Sequence, residues 1–263
     1  MDLDILLMFS MGGLAGMLAG LLGIGGGIII VPVLALVFGH QGVDPDALMH
    51  VAIGTSLGTI VITSLSSIRA HQRRGAIDWR VFRAITPGIV VGGMLGAAIA
   101  RQLGGDTLRL VFSVFMFLVA AQMTLARTPP AHRTLPGTVG MLVVGTLIGT
   151  ISTLMGVGGG SMSVPFMTWC NTQVRVAVAT SAAIGLPIAV SGAVGYMISG
   201  WGGANLPPWS IGFLNLPAFL GIVIASTLFA PVGAALAHRI PPLLLKRLFA
   251  VLLAVLGIKM LLG

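Results

Sequence analysis

Apolar residues run along this chain in blocks of membrane length, with polar residues gathered in the short segments between them. Six blocks, 47–68, 81–100, 107–125, 174–199, 211–237 and 242–262, reach or approach the length of about 20 residues that crosses a bilayer. Each block is predicted to be a spanning helix. The 211–237 block is longer than a bilayer requires and holds Pro217 and Pro231, which imply a kink or tilt. Two further apolar stretches, 3–38 and 137–170, are broken near their middles by glycine. The breaks are Gly23-Ile24-Gly25-Gly26-Gly27 and Gly156-Val157-Gly158-Gly159-Gly160.

The polar segments orient the blocks. Segment 69–83 carries Arg69, Arg73, Arg74, Arg80 and Arg83 against Asp78 alone, which predicts a cytoplasmic loop. Counting outward places 126–136, 171–176 and 238–247 inside as well. Segments 39–46, 101–106 and 200–210 and both termini fall outside. The inside then holds 11 of the 14 Lys and Arg residues and one of the six Asp. Trp79 and Trp169 land near the inner interface, Trp201 and Trp209 near the outer one, as an aromatic belt requires. The map closes only if 3–38 begins and ends outside and 137–170 begins and ends inside, so both are predicted to be hairpins. The arm 28–38 covers about 16 Å of helix, roughly half of a ~30 Å hydrocarbon core. Each glycine tip is therefore expected near the midplane.

Composition agrees with lipid as the solvent. Hydrophobic residues make up 56% and charged residues 8% of the 263 positions, against about 25% charged in a soluble domain. Mean hydropathy is +1.06. The net charge of +8 belongs to the inner loops on this map and needs no nucleic acid. The acidic start, Met1-Asp2-Leu3-Asp4, lacks the basic region of a secretory signal, so the first apolar run is expected to stay in the protein. One cysteine, Cys170, excludes an intrachain disulfide and a Cys-rich metal site. His40, His50, His71, His132 and His238 map to loops or span ends, and no cofactor is expected. There is no Glu, and every Asp maps to a loop or terminus, so no membrane carboxylate offers a proton relay. No catalytic constellation is visible, and the chain is not expected to be an enzyme. Gly12, Gly16 and Gly20, like Gly88, Gly92 and Gly96, recur every four residues and predict small-residue faces for close helix contact.

The halves repeat one another. The glycine clusters, with Val31-Pro32 and Val164-Pro165 behind them, correspond at an offset of 133. Ala52-Ile53-Gly54-Thr55-Ser56 matches Ala177-Val178-Ala179-Thr180-Ser181 at 125, and Leu108 to Met123 matches Leu245 to Met260 at 137. Each half holds a hairpin and three full spans, and an odd number of spans inverts the second half. The fold expected is an all-α polytopic membrane protein of two inverted-topology repeats with about ten membrane segments. Residues 1–126 form the first repeat, 127–136 a cytoplasmic linker and 137–263 the second repeat.

Backbone that leaves helical geometry in lipid must be satisfied by protein, water or a ligand. After each cluster a short helix begins, and its free N–H groups and positive dipole end suit an anion. Gly25, Gly26, Gly27, Gly158, Gly159 and Gly160 are therefore candidate binding positions, with close helix packing as the competing reading. Thr55-Ser56 and Thr180-Ser181 offer hydroxyls, against which stands back-bonding within their own helices. Ser161 follows the second cluster where the first half has Ile28, and is a candidate for an asymmetric site.

The duplicated glycine cluster with its Val-Pro and the Thr-Ser on the next helix resembles the TauE/SafE family of sulfite exporters, also called the sulfonate-uptake-permease type. The resemblance extends from about Leu14 to Leu262. It implies a multi-pass carrier of the bacterial inner membrane that exports sulfite or a related sulfur oxyanion or organosulfonate. An inside-negative potential favours anion exit by about 2.3 kcal/mol per charge per 100 mV, so alternating access is expected without a coupling ion. The alternative is a passive anion channel or an accessory membrane subunit that moves nothing itself.

Overall fold

The computed structural model describes residues 27–125, 134–203, 205–237 and 242–262. The first arm of the 3–38 stretch, with Gly25 and Gly26 of the first cluster, lies outside the described residues. Nine helices are seen among those described: α1 (Gly27–His40), α2 (Pro45–Gln72), α3 (Trp79–Gln102), α4 (Gly105–Leu125), α5 (Thr138–Leu154), α6 (Gly160–Trp169), α7 (Val174–Ser199), α8 (Leu216–Ala237) and α9 (Pro242–Leu262). Four of them, α2, α3, α4 and α7, are long and apolar enough to cross a membrane, and α1 and α5 are shorter apolar helices. The protein is a multi-pass α-helical membrane protein.

The helices begin where local chemistry allows. The Asp44 carboxylate accepts from Asp46 N–H at 2.9 Å, with Pro45 in the first helical position of α2 where its missing N–H costs nothing. The Asp78 carboxylate accepts from Arg80 and Val81 N–H at 2.9 and 3.1 Å and caps α3. One predicted span is corrected. Residues 211–215 are not helical: Ser210–Ile211 (β1) and Leu214–Asn215 (β2) form an antiparallel hairpin, and α8 starts at Leu216. Gly212 turns this hairpin at φ +56°, and a Cβ there would run into Met197 O. Pro217 consequently sits in the first turn of α8, where it needs no kink.

Helices α2 and α7 pack against each other and are the most buried of the long helices. Around them α3 packs on α5 and α7, α4 on α9, α8 and α1 on α2, and α6 on α7. The α3–α5 crossing rests on glycine. A Cβ on Gly88, Gly92 or Gly96 would meet the carbonyl oxygen of Leu142, Thr146 or Thr150 respectively. Gly145 and Gly149 of α5 return the contact to Ile85 and Ile89. The backbones touch, which is how membrane helices gain packing energy without a hydrophobic effect.

The two ends of the bundle differ in charge. Ile77 packs in one cluster with Ala179 and Ala183, so the loop before α3 meets the start of α7. That end carries Arg69, Arg73, Arg74, Arg80, Arg83 and Arg175. At the opposite end, Asn205 donates to Asp44 at 3.1 Å, and the ring nitrogens of buried His50 lie 2.9 Å from Asp46 O and Ala100 O. Asp44, Asp46 and Asp106 gather there, because Gly105 lies against Pro45.

Candidate functional site

The second glycine cluster breaks one apolar stretch into α5 and α6. Gly156 takes φ +61°, a conformation open to glycine at little cost. Its N–H donates to Thr153 O at 3.2 Å and Val157 N–H to Ser152 O at 2.9 Å, which satisfies the last carbonyls of α5. Val157 and Gly158 are non-helical and buried, and Gly159 precedes α6 without any side-chain cap. The first N–H groups of α6 therefore end in the protein interior.

This tip meets the start of α1. A Cβ on Gly27 would collide with Gly156 O and stand 3.0 Å from Val157 Cα. A Cβ on Gly156 would come 2.9 Å from Val31 Cγ2 and 3.2 Å from Ile53 Cα. Ser56 Oγ donates to Gly156 O at 2.9 Å and ties α2 to the tip. One member of each glycine cluster, Gly27 and Gly156, is thus in close backbone contact in the buried interior.

The two threonines hold loops. Thr55 Oγ1 accepts from Asn215 N–H at 3.0 Å, and Asn215 Oδ1 accepts from Ala218 N–H at 3.0 Å to cap α8. Thr180 Oγ1 accepts from Asp78 N–H at 2.9 Å, and Asp78 caps α3. Asp78 and Asn215 are 137 positions apart, in register with the offset of the helices that follow. Neither was singled out from sequence, although that offset was there to find them. Thr55→Val should lower stability by about 1–3 kcal/mol, since it leaves a buried N–H without a partner. Thr180→Val should cost less, because Asp78 is half-exposed and water can replace the hydroxyl. Thermal unfolding in detergent, with the two variants side by side, checks the order.

Other hydroxyls have no partner among the described residues. Ser181 Oγ and Ser161 Oγ, both candidates from sequence, are buried and make no hydrogen bond. The same holds for Ser152, Thr153 and Ser163, which flank the cluster on either side and which sequence reasoning passed over. An unpaired buried hydroxyl costs on the order of 1–3 kcal/mol, and most buried polar side-chain atoms are satisfied. Four of these unpaired hydroxyls, on Ser152, Thr153, Ser161 and Ser163, lie within five residues of the glycines of one helix break. The donors there are neutral: hydroxyls, the free N–H groups of α6 and its positive dipole end.

A broken-helix, multi-pass α-helical bundle with unfilled donors at the break is a membrane transporter's architecture. The family model described as "Sulfite exporter TauE/SafE" matches residues 8–260, and the chain belongs to that family. A probable membrane transporter protein of Haemophilus influenzae is 36% identical over 257 residues, covering 97% of each chain. One of Methanocaldococcus jannaschii is 28% identical over 97% of this chain and 95% of its own. Another of Bacillus subtilis is 26% identical over 98% and 99%. No solved structure matches the chain.

Proposed function

We propose that this transporter is a secondary carrier that exports sulfite, or a related small sulfur oxyanion or organosulfonate, across the bacterial inner membrane. It works by alternating access between two inverted-topology halves, with both termini on the periplasmic side, and it performs no catalysis. The observation that carries the reading is the broken second hairpin, whose unpartnered hydroxyls and free helix N-terminus lie beside the Gly27–Gly156 crossing. A helix N-terminus and hydroxyl donors can hold an anion without a buried Lys or Arg.

The inverted repeat is supported by paired contacts. Thr55 with Asn215 and Thr180 with Asp78 are the same interaction at the repeat's offsets. Helices expected to be equivalent, α2 with α7 and α4 with α9, pack on each other as they do about a two-fold axis. The excess of arginine at one end and of aspartate at the other supports the orientation. Cysteines introduced at 41–46 should label from the periplasmic side and those at 126–136 from the cytoplasmic side.

Flux from purified protein in liposomes tests the function. Sulfite should move in a saturable manner, competed by some of sulfate, thiosulfate and small sulfonates. Flux linear in concentration would replace the carrier with a channel, and no flux of any of these anions would leave an accessory subunit.

A further inference from the structure

The two helix breaks match in chain position but not in chemistry. At an offset of 133, Ser161 and Ser163 stand where the first half has Ile28 and Ile30. At an offset of 125, Gly185 stands where the first half has Ile60, and Ser64 is matched by Ala189. The described side of the first break is packed: Ile28, Ile30 and Ile60 are buried, and a Cβ on Gly27 would come 2.8 Å from Ile60 Cδ1. At the second, hydroxyls stand beside the glycines, with Ile184 and Ile188 also within 3.1 Å of a Cβ on Gly159. A Cβ on Gly185 would find two atoms within 4 Å among the described residues outside its own stretch of helix: Ser64 Oγ at 3.1 Å and Gly159 N at 3.8 Å. A Cβ on Gly159 would in turn stand 3.1 Å from Ser163 Oγ. Ser163 is fully buried with an unpartnered hydroxyl, and Ser64 is 6% exposed.

Ser64 Oγ and Gly159 N therefore face one point over Gly185, and Ser163 Oγ lies beside Gly159, at the positive end of α6. Three elements contribute: α2 brings Ser64, the second hairpin brings Gly159 and Ser163, and α7 leaves room by having no side chain at 185. We propose that this notch is the oxyanion subsite, one-sided, with Ser64, Ser163 and the Gly159 N–H donating to the anion's oxygens. The matching positions at the start of α1, Ile28 and Ile30, are packed and serve as the counterpart against which the second break moves. The inference rests on the carrier reading above and adds which half binds and through which donors.

Sulfite uptake into liposomes, read as KM and maximal rate, tests it. Ser64→Ala and Ser163→Ala should each raise KM about tenfold, the effect of one lost hydrogen bond to an anion. Gly185→Ile copies Ile60 into the notch and should abolish saturable flux while elution and melting temperature stay near wild type. If that variant does not fold, Gly185→Ala narrows the same space and should raise KM. Ala189→Ser, at the position that matches Ser64 in the repeat, should leave KM unchanged. Wild-type KM in both serine variants overturns the subsite and leaves the carrier reading standing. A wild-type protein that moves none of sulfite, sulfate and thiosulfate overturns both.

Discussion

Gly92→Leu is expected to leave almost no folded protein in the membrane, while Gly221→Leu is expected to change nothing. The difference lies in what each side chain would meet. At Gly92 a Cβ strikes Thr146 O, a backbone atom, and Thr150 Oγ1 already donates to Gly92 O at 3.1 Å. Backbone cannot rotate aside as a side chain does, so α3 and α5 must separate along their length. Separation undoes the neighbouring Gly88–Leu142 and Gly96–Thr150 contacts in the same register. Overpacking costs about 1–3 kcal/mol when side chains can adjust, and more here because they cannot. Against a total stability of roughly 5–15 kcal/mol, that loss removes most of the margin. At Gly221 nothing lies within 4 Å among the described residues, so a leucine adds only lipid-facing surface. Membrane yield and monodisperse elution of the two variants decide it, and a well-folded Gly92→Leu would mean the contact is not what joins these helices.

The long elements were legible because lipid demands a continuous apolar block, and α2, α3, α4, α7 and α9 follow theirs to within a few residues at each end. The break between α5 and α6 was legible because glycine is out of place in a helix. The 210–215 hairpin was not. Ile211, Phe213 and Leu214 are as apolar as any helix residue, and hydropathy alone does not separate a short buried strand from a helix. Its existence depends on Thr55 accepting from Asn215, a contact 160 positions away in sequence. The polar notch was hidden for a similar reason. A lone Ser or Thr in an apolar helix usually back-bonds, as Thr86, Ser113, Thr146, Ser191 and Thr227 do here to the carbonyl four residues earlier. Ser163 looks the same in one dimension. Only the absence of a partner sets it apart, and that is a property of the packed structure. Setting the halves side by side would have raised the suspicion, since serine against isoleucine is a poor exchange between equivalent packed positions.

Gly27→Leu is expected to abolish sulfite flux from protein that still reaches the membrane, because it strikes the place where, among the described residues, the two glycine clusters touch. The new side chain would meet Ile60 Cδ1, which can turn away, and the backbone of Gly156 and Val157, which can move only if the whole tip moves. Displacing the tip pulls Gly156 O from Ser56 and carries Gly159 away from Gly185. Ser56→Ala separates these effects, for it breaks the tie without adding bulk. The one proton of the Ser56 hydroxyl is committed to Gly156 O, so Ser56 has none left for an anion in this conformation. Ser56→Ala should therefore lower the maximal rate by about tenfold, the equivalent of ~1.4 kcal/mol, with little change in KM. Ser163→Ala should do the reverse. A rise in KM for Ser56→Ala would instead make that hydroxyl a ligand in some other state of the cycle. Undiminished flux in Gly27→Leu would mean that the tips need not meet at all, and alternating access about this crossing would have to be given up.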